Sequence, residues 1–254
     1  MSILQNSNGV KLSFIIPAYN EEAYVGHCLD SIHRELQGKD YDVEIIVVNN
    51  ASTDRTHEVA ASFDGVKVVH EPRKGLVNAR RAGYAASSGQ LVANVDADTR
   101  LPAGWIEKVL SEFSQDEELA ALSGPYLYYD LAQWRLYLVK FFYGVGFVSH
   151  TFSRLILKKS AMLQGCNLIF RRTHFEKAGA FNTKFDFYGE DTDVAQRIQR
   201  VGKVKFTFTL PMYTSGRRLT KEGLLIAGTR YAINHFWVLL FKKPFTKEFK
   251  DIRN

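Results

Sequence analysis

The chain has 254 residues, of which 46% are hydrophobic and 24% are charged, and its formal net charge is +6. This composition is typical of an ordinary globular protein and is ample for a sizeable core, so a disordered chain is excluded. The mild basic excess favours anionic partners, such as nucleotide phosphates, lipid headgroups or nucleic acid, without choosing among them.

The two cysteines, Cys28 and Cys166, form no C-x-x-C pair. A zinc site or a disulfide framework is therefore not expected. We expect instead that both thiols are reduced, as in a cytoplasmic protein. The first 14 residues lack the basic-then-apolar pattern of a signal peptide. Because no uncharged apolar stretch reaches about 18 residues, the sequence predicts no membrane-spanning helix.

The first half of the chain alternates strand-like and helix-like segments. Apolar runs predict buried strands over 12–17, 43–48, 66–70 and 91–95. Helical spacing of apolar residues predicts helices over 25–36, 76–86 and 105–113, and a short one capped by Ser52 or Thr53. This order predicts an α/β fold of right-handed βαβ units, with a Rossmann-like, mostly parallel central sheet and helices on both faces.

The second half is less regular. Residues 131–157 read as helical, 162–170 as a strand, 191–201 as a helix that Gly202 ends, and 203–210 as a strand. Thr173 to Glu176 fits a capping box that opens a short helix. Neither a repeat nor a linker divides the sequence, so we expect a single domain over 1–254.

Two aspartates, Asp96 and Asp98, directly follow the predicted strand over 91–95. Like charges this close repel each other, so the pair costs stability unless a cation neutralises it. Mg²⁺ and Mn²⁺ prefer carboxylate oxygens and often complete their coordination with substrate phosphates. The pair is compatible with a metal–diphosphate site, although aspartates are also common in solvated turns.

A second acidic cluster, GEDTD, occupies residues 189–193. It lies at the start of a predicted helix, where the helix dipole stabilises negative charge. Locally, a capping role for Asp191 beside a solvated Glu190 is the simpler interpretation. The alternative is that Asp191 is a general base, an ionised carboxylate that takes a proton from an attacking hydroxyl.

Two aromatic apolar stretches, 136–148 and 231–241, lie near basic residues. Such segments can lie in a membrane interface, but a buried helix with a solvated basic tail explains them equally well. We therefore expect residues 216–254 to form a helical basic tail with either peripheral membrane contact or none, which places the protein in the cytoplasm or at the inner face of its membrane.

Six motifs stand in order along residues 11–210: FIIPAYNEE, EIIVVNNASTD, KGLVNARRAG, VDADT, GCNLIFRR and FYGEDTDVAQRI. Together they resemble the family-two glycosyltransferases, which have the GT-A fold. The resemblance implies a nucleoside-diphosphate sugar as donor, Mg²⁺ or Mn²⁺ as cofactor, and inversion of the anomeric configuration.

The resemblance also implies a nucleotide pocket. Lys74 and Arg80 match the basic positions that line it, and Asn49 and Asn50 stand where the family usually has an acidic pair. Amides donate as well as accept hydrogen bonds, so uridine, guanosine or another base stays open. The residues that would wall the base and ribose are Pro17, Ala18, Tyr19 and Glu21.

The acidic residues carry the chemistry in this resemblance. Asp98 matches the metal-contacting aspartate, and Asp96 supports the ribose or the metal. Asp191 matches the catalytic base, with Glu190 beside it at the donor. The deprotonated acceptor oxygen would attack the anomeric carbon opposite the departing nucleoside diphosphate.

The remaining assignments concern the sugar and the diphosphate. Asn167, next to Cys166, corresponds to the segment beside the donor sugar. Arg217 and Arg218 follow the last predicted strand and could close over the diphosphate, remain a solvated pair, or bind a lipid phosphate.

The acceptor stays open in the sequence. Residues 11–115 would bind the nucleotide sugar, and residues 116–215 would supply the acceptor and catalytic half. A lipid-linked acceptor and a saccharide stacked on Trp134 or Tyr137 are both compatible with the aromatic, basic region 131–157.

Two alternative functions fit the sequence less well. A sugar-phosphate nucleotidyltransferase would need a glycine-rich loop after the first strand, where this chain has PAYNEEAYVG. A non-catalytic membrane-surface or nucleic-acid-binding module leaves both acidic clusters unexplained. Since the basic residues are scattered and form no nucleic-acid-binding motif, no nucleic-acid partner is expected.

Overall fold

The structure is a computed structural model that describes residues 11–139, 144, 163–185, 187–246, 251 and 253. Its strands are β1 (Leu12–Ala18), β2 (Val43–Asn49), β3 (Val66–His70), β4 (Leu91–Asn94), β5 (Thr99–Arg100), β6 (Leu119–Ser123), β7 (Tyr126–Tyr128), β8 (Leu168–Arg171), β9 (Lys203–Phe206) and β10 (Met212–Thr214). Its helices are α1 (Val25–Leu36), α2 (Thr56–Ala61), α3 (Leu76–Ala86), α4 (Trp105–Gln115), α5 (133–139), α6 (Arg172–Lys177), α7 (Glu190–Ile198), α8 (Arg217–Glu222) and α9 (Leu224–Phe241).

Seven strands form the central sheet in the order β3-β2-β1-β4-β8-β6-β9. Every neighbouring pair in it is parallel except the two that β8 makes, which are antiparallel. The predicted mostly parallel sheet is thus confirmed. A small second sheet, β5-β10-β7, lies beside the loop that follows β4.

Successive side chains of the central strands enter two different cores, because a strand points alternate residues to opposite faces. Phe14 of β1 belongs to one core, together with Trp105 of α4. Ile15, the next residue, belongs to the other core, together with Phe175 of α6 and Val194 of α7. Helices therefore cover both faces, as the continuous apolar runs of β1 and β2 predict.

The predicted elements of the first half lie within two residues of the observed ones, apart from the start of α2. That helix begins at Thr56, and its first amide bonds Asp54 at 3.0 Å, so the predicted caps Ser52 and Thr53 lie outside it. The predicted capping box at Thr173 is also wrong, because α6 starts at Arg172 without a side-chain cap.

In the second half the observed elements are shorter than predicted. α7 ends at Ile198 and β9 at Phe206, while β8 begins only at Leu168. The predicted helix over 131–157 falls largely outside the described residues; its described part is helical over 133–139.

α9 overturns the length argument against a membrane-spanning helix. The aromatic stretch 231–241 is the second part of an 18-residue helix with mean hydropathy 1.3, which is long and apolar enough to cross a membrane by length and composition. The sequence estimate failed because Arg230 divides the helix into two apolar pieces. Only 17% of the helix is buried, and Asn234 and Val238 on its inner face are among the buried residues.

Candidate active site

Three loops meet at one edge of the sheet because β1, β2 and β4 are parallel. Ala18 pairs with Asn49 at the carboxyl end of β1 and β2, and β4 ends at Asn94 on the other side of β1. Pro17 and Ala18 are buried within β1. Ligands bind at this edge in open α/β sheets.

Arg80 joins the loop after β4 to the start of α7. Its guanidinium bonds Glu190, lies 3.4 Å from Asp96, and donates to the carbonyl of Gly165 at 2.9 Å. Arg80 and Glu190 are both 2% exposed. Burial opposes the charged guanidinium, but Glu190 and Asp96 raise the pKa of Arg80, so the ion pair stays intact.

Arg217 makes a second link, between the loops after β1 and β4. One nitrogen, Nη2, contacts Glu21 and also lies 2.9 Å from Oδ2 of Asp98. The guanidinium carbon lies 4.5 Å from the centre of the Tyr24 ring. Burial, opposed by Arg217 and reinforced by Glu21 and Asp96, raises the pKa of Asp98 to about 7. Burial and the neighbouring acids thus outweigh the attraction of Arg217 at this carboxyl.

The loop that carries both aspartates is tied down by its backbone. Thr99 donates from its hydroxyl to the carbonyl of Asp96 at 2.7 Å, which closes a turn. The carbonyl of Asp98 accepts from Tyr129 and from the amide of Ser215, both at 3.2 Å. The carboxylates are therefore presented from a fixed turn, not from a solvated end.

Asp191 lies in the first turn of α7, after Gly189 in a left-handed conformation. Its Oδ1 accepts from the amide of Thr192 at 2.8 Å. The Thr192 hydroxyl lies 3.1 Å from Nδ1 of His235 on α9. Burial lowers the pKa of His235, against the charge of Asp191. Sequence reasoning missed Thr192 and His235, since a contact between helices 43 residues apart leaves no local pattern.

Three predicted donor-binding amides have hydrogen-bond partners inside the protein. Asn50 donates to the carbonyls of Glu71 and Arg73, both at 2.8 Å, and accepts from the amide of Gly75 at 2.8 Å. It thereby holds the loop between β3 and α3. Asn49 accepts from the amide of Ser52 at 3.2 Å.

The third amide is that of Asn167, which is fully buried. It donates to the carbonyl of Leu210 at 2.8 Å and accepts from the indole of Trp105 at 3.3 Å. This corrects the expectation that it bonds the donor sugar: the structure places Asn167 in the core and not in the cleft, because its amide joins three distant elements there.

Tyr19 and Lys74 form the remaining part of the predicted nucleotide pocket. The Lys74 ammonium lies 3.8 Å from the centre of the Tyr19 ring. Two residues that sequence reasoning missed also reach this place. Lys74 bonds Asp251 at 2.7 Å, and Arg253 bonds Glu21 at 2.8 Å. No local sequence pattern indicates them, because Asp251 and Arg253 are far along the chain from Lys74 and Glu21.

Neither cysteine thiol supplies a nucleophile to this site. Cys28 and Cys166 are free and buried, as the sequence predicts for reduced thiols. Burial raises the pKa of Cys28 to about 12 and also raises the pKa of Cys166. Both thiols therefore stay protonated, which removes them as nucleophiles.

The donor set at Asp96 and Asp98 fits a hard divalent cation. Two carboxylates are present, and Oε2 of the neighbouring Glu21 is buried without a hydrogen-bond partner. Within the described residues, no group of three or more His, Cys, Asp or Glu side chains could hold a metal ion. A cation bound by these aspartates would complete its shell with water or substrate oxygens, as Mg²⁺ commonly does.

The sequence matches the model of "Glycosyl transferase family 2" over residues 13–183, which is more than half of the chain. The chain belongs to glycosyltransferase family 2. A relative, the probable glycosyltransferase YdaM of Bacillus subtilis, is 29% identical over 204 residues, covering 76% of this chain and 47% of that protein. The chain spans less than half the length of the curated relatives it matches.

Solved structures establish the fold of this glycosyltransferase family 2 chain. The mannosyltransferase PcManGT of Pyrobaculum calidifontis, solved with GDP-Man and Mn²⁺, aligns with a TM-score of 0.69 at 20% identity, over 90% of this chain and 64% of that one. Glucosyl-3-phosphoglycerate synthase of Mycobacterium tuberculosis, solved with Mn²⁺, UDP and glucosyl-3-phosphoglycerate, aligns with a TM-score of 0.64 at 20% identity, over 94% of this chain and 82% of that one. The predicted α/β GT-A fold is confirmed.

Proposed function

We propose that this chain transfers a sugar from a nucleoside-diphosphate sugar to an acceptor hydroxyl, with inversion at the anomeric carbon. The observation that carries the proposal is the buried Arg80, which bonds Glu190 and approaches Asp96. Through this contact the loop that bears the two aspartates lies next to the turn that bears Asp191. The acids that the sequence assigns to the donor and to the acceptor therefore share one region.

Asp191 acts as the general base in this proposal. Glu190 is committed to Arg80 by a buried ion pair, whereas Asp191 is only half-buried. The Thr192 amide fixes one carboxylate oxygen of Asp191 at 2.8 Å, so the other oxygen can take the proton of the acceptor hydroxyl. The acceptor oxygen forms the new bond to the anomeric carbon as the nucleoside diphosphate leaves from the opposite face, which inverts the configuration.

Asp96 and Asp98 would hold Mg²⁺ or Mn²⁺ in this site. When bound, the cation supplies positive charge for the leaving diphosphate. Arg217 adds a guanidinium at the same loop, 2.9 Å from Asp98. The neighbours PcManGT and glucosyl-3-phosphoglycerate synthase were solved with Mn²⁺ and a nucleotide or nucleotide sugar, which supports a similar donor class here.

In this proposal the two halves of the chain have different roles. Residues 11–115 bind the nucleotide sugar, and residues 116–215 supply the base and the acceptor side. Trp134 and Tyr137 on α5 are 60% and 69% exposed, so either ring can stack on a saccharide or contact a lipid-linked acceptor.

We also infer that α9 lies on the cytoplasmic surface of an anionic membrane. Its outer face is apolar and exposed, with an open groove of about 420 Å³ between Ile233, Trp237 and Leu240. Lys242 and Lys243, both exposed, follow directly. Apolar side chains beside lysines suit the headgroup region of an anionic bilayer. The inner face of α9 stays on α7 through Thr192 and His235, which favours a helix that lies flat.

The test of the proposed reaction is the substitution Asp191→Asn. The asparagine keeps the shape of the side chain but cannot accept a proton, so transfer should fall by about 10²- to 10⁴-fold. Release of nucleoside diphosphate from UDP- and GDP-sugars, with Mn²⁺ and a panel of acceptors, measures the reaction. Binding of UDP and GDP, measured by calorimetry, should be unchanged, because Asp191 acts on the acceptor.

The matched control is Asp30→Asn, which removes the same charge at an exposed position of α1. It should retain wild-type transfer. If Asp191→Asn keeps wild-type transfer as well, Asp191 is not the base; if the wild-type chain binds neither nucleotide, the proposed donor class fails.

A further inference from the structure

Two residues near the end of the chain, Asp251 and Arg253, contact the residues that the sequence assigns to the nucleotide. Asp251 accepts from the Lys74 ammonium at 2.7 Å, and Arg253 donates to Oε1 of Glu21 at 2.8 Å. The Arg253 guanidinium also lies 5.9 Å from the centre of the Tyr19 ring. Three of the predicted donor-binding residues thus have partners from one short segment.

Asp251 and Arg253 bond the same two side chains, Lys74 and Glu21, that groups of a bound nucleotide would bond. The Asp251 carboxylate binds the Lys74 ammonium, which would otherwise bond a phosphate or a base carbonyl of the nucleotide. Arg253 covers a carboxylate that would otherwise accept from ribose hydroxyls. The amide of Arg253 donates to Oδ1 of Asp251 at 3.1 Å, which holds the two residues together as one unit.

Three of the four side chains in these two contacts are mostly buried. Glu21 is 2% exposed, and its Oε1 receives both Arg217 and Arg253. The side chains of Asp251 and Arg253 are 23% and 22% exposed, so both are largely covered. A nucleotide that used Lys74 and Glu21 would need to displace both partners at once.

We propose that Asp251 and Arg253 form an internal competitor that occupies the nucleoside-diphosphate site and leaves when the donor binds. This inference rests on the proposed function, because it assigns a regulatory contact to the same site. The apparent affinity for the donor is then reduced by the fraction of molecules in which the two residues are in place. Since neither residue contacts Asp191, the effect falls on donor binding and not on the transfer step.

The test is the double substitution Asp251→Ala with Arg253→Ala, which removes one acid and one base and leaves the net charge unchanged. Calorimetry with UDP and with GDP, each in excess Mn²⁺, measures the dissociation constant. We expect binding to tighten by about three- to tenfold, because the nucleotide no longer has to displace two ion pairs, each of which has at least one member in contact with solvent. In a transfer assay, KM for the donor should fall by the same factor while kcat stays constant.

The matched control is Lys203→Ala with Glu118→Ala. This pair is joined at 3.2 Å on the exposed edge of the sheet, and its removal is also neutral in charge. It should leave the dissociation constant unaltered.

Unaltered or weaker nucleotide binding by the Asp251/Arg253 variant overturns the inference; weaker binding would make the two residues part of the donor-binding surface. In both cases the wild-type chain still binds nucleotide, so the proposed function survives. A wild-type chain that binds neither UDP nor GDP removes the proposed function and this inference with it.

Discussion

Arg80 shows how a single residue can organise the candidate site from a buried position. The sequence assigns it to the nucleotide pocket, but the structure uses Nη1 for Glu190 and Nη2 for Gly165 and Asp96. With 2% exposure, Arg80 is buried. It joins the aspartate loop to the start of α7, and this role depends on an intact buried ion pair.

Removal of the Arg80 guanidinium should lower the free energy of unfolding. Arg80→Met leaves the carboxylate of Glu190 buried and unpaired, so the free energy of unfolding should fall by about 3–5 kcal/mol. Urea denaturation measures the change. Arg81→Met, at an exposed position of the same helix, should change it by at most about 0.5 kcal/mol.

A second variant separates the ion pair from packing. Arg80→Met combined with Glu190→Met removes both charges, so it should be more stable than Arg80→Met alone. Equal stability of the single and double variants would show that Glu190 is not the reason for the cost.

The residues of the candidate site were predictable from the sequence only in part. Asp96 and Asp98 stand where a buried strand ends, so pattern alone could place them at the sheet edge. Asn50 and Asn167 show the limit of such reasoning. A motif fixes the residue type, but the partners of a buried amide come from loops that are distant in the sequence.

Among the elements, the first turn of α7 depends on its contact with α9. Gly189 has a φ of 80°, and a β-carbon there would lie 2.4 Å from Cγ2 of Val238. The glycine thus lets the helix carrying Asp191 approach α9 closely. A side chain at this position has to strain the backbone and also push the two helices apart.

Gly189→Ala should therefore lower the free energy of unfolding by about 2–4 kcal/mol, the sum of a left-handed alanine and an overpacked contact. Thermal or urea unfolding measures it. Gly38→Ala is the matched control, because Gly38 has a φ of 70° with nothing within 4 Å of the added carbon. It should show the backbone cost alone, about 1 kcal/mol. Equal losses in both variants would mean that the contact with Val238 is not tight.

The accuracy of a predicted element depends on its length and on how far apart in the sequence its defining contacts lie. Strands β1 to β4 and helices α1, α3 and α4 have continuous apolar runs or strong helical spacing, and their bounds were predicted closely. Four strands were not predicted: β6, which has five residues, and β5, β7 and β10, which have two or three residues each. Their pairing comes from loops far apart in the sequence, and that information is absent from a local window.

At the scale of the whole molecule, polar and apolar surface are unevenly distributed. The candidate site gathers acidic groups, while α9 presents apolar side chains and is followed by lysines. Because α9 also contacts the start of α7 through Val238 and His235, a membrane that binds the outer face of α9 would lie close to Asp191, the base in the proposed function. This arrangement favours an acceptor that is itself presented at the membrane surface.

The inferred membrane contact predicts cosedimentation with vesicles that contain anionic phosphatidylglycerol, and little with pure phosphatidylcholine. Phe236→Ser with Leu240→Ser removes two exposed apolar side chains from α9 and should weaken binding by at least about tenfold, since each buried side chain contributes more than about 1 kcal/mol. Phe208→Ser, at a residue 56% exposed in the loop after β9, is the control and should bind like the wild type.

Lys242→Gln with Lys243→Gln should reduce the preference for anionic vesicles, at about 1 kcal/mol per lysine. Binding that is indifferent to all of these changes would place α9 away from the membrane and leave its apolar face to a protein partner.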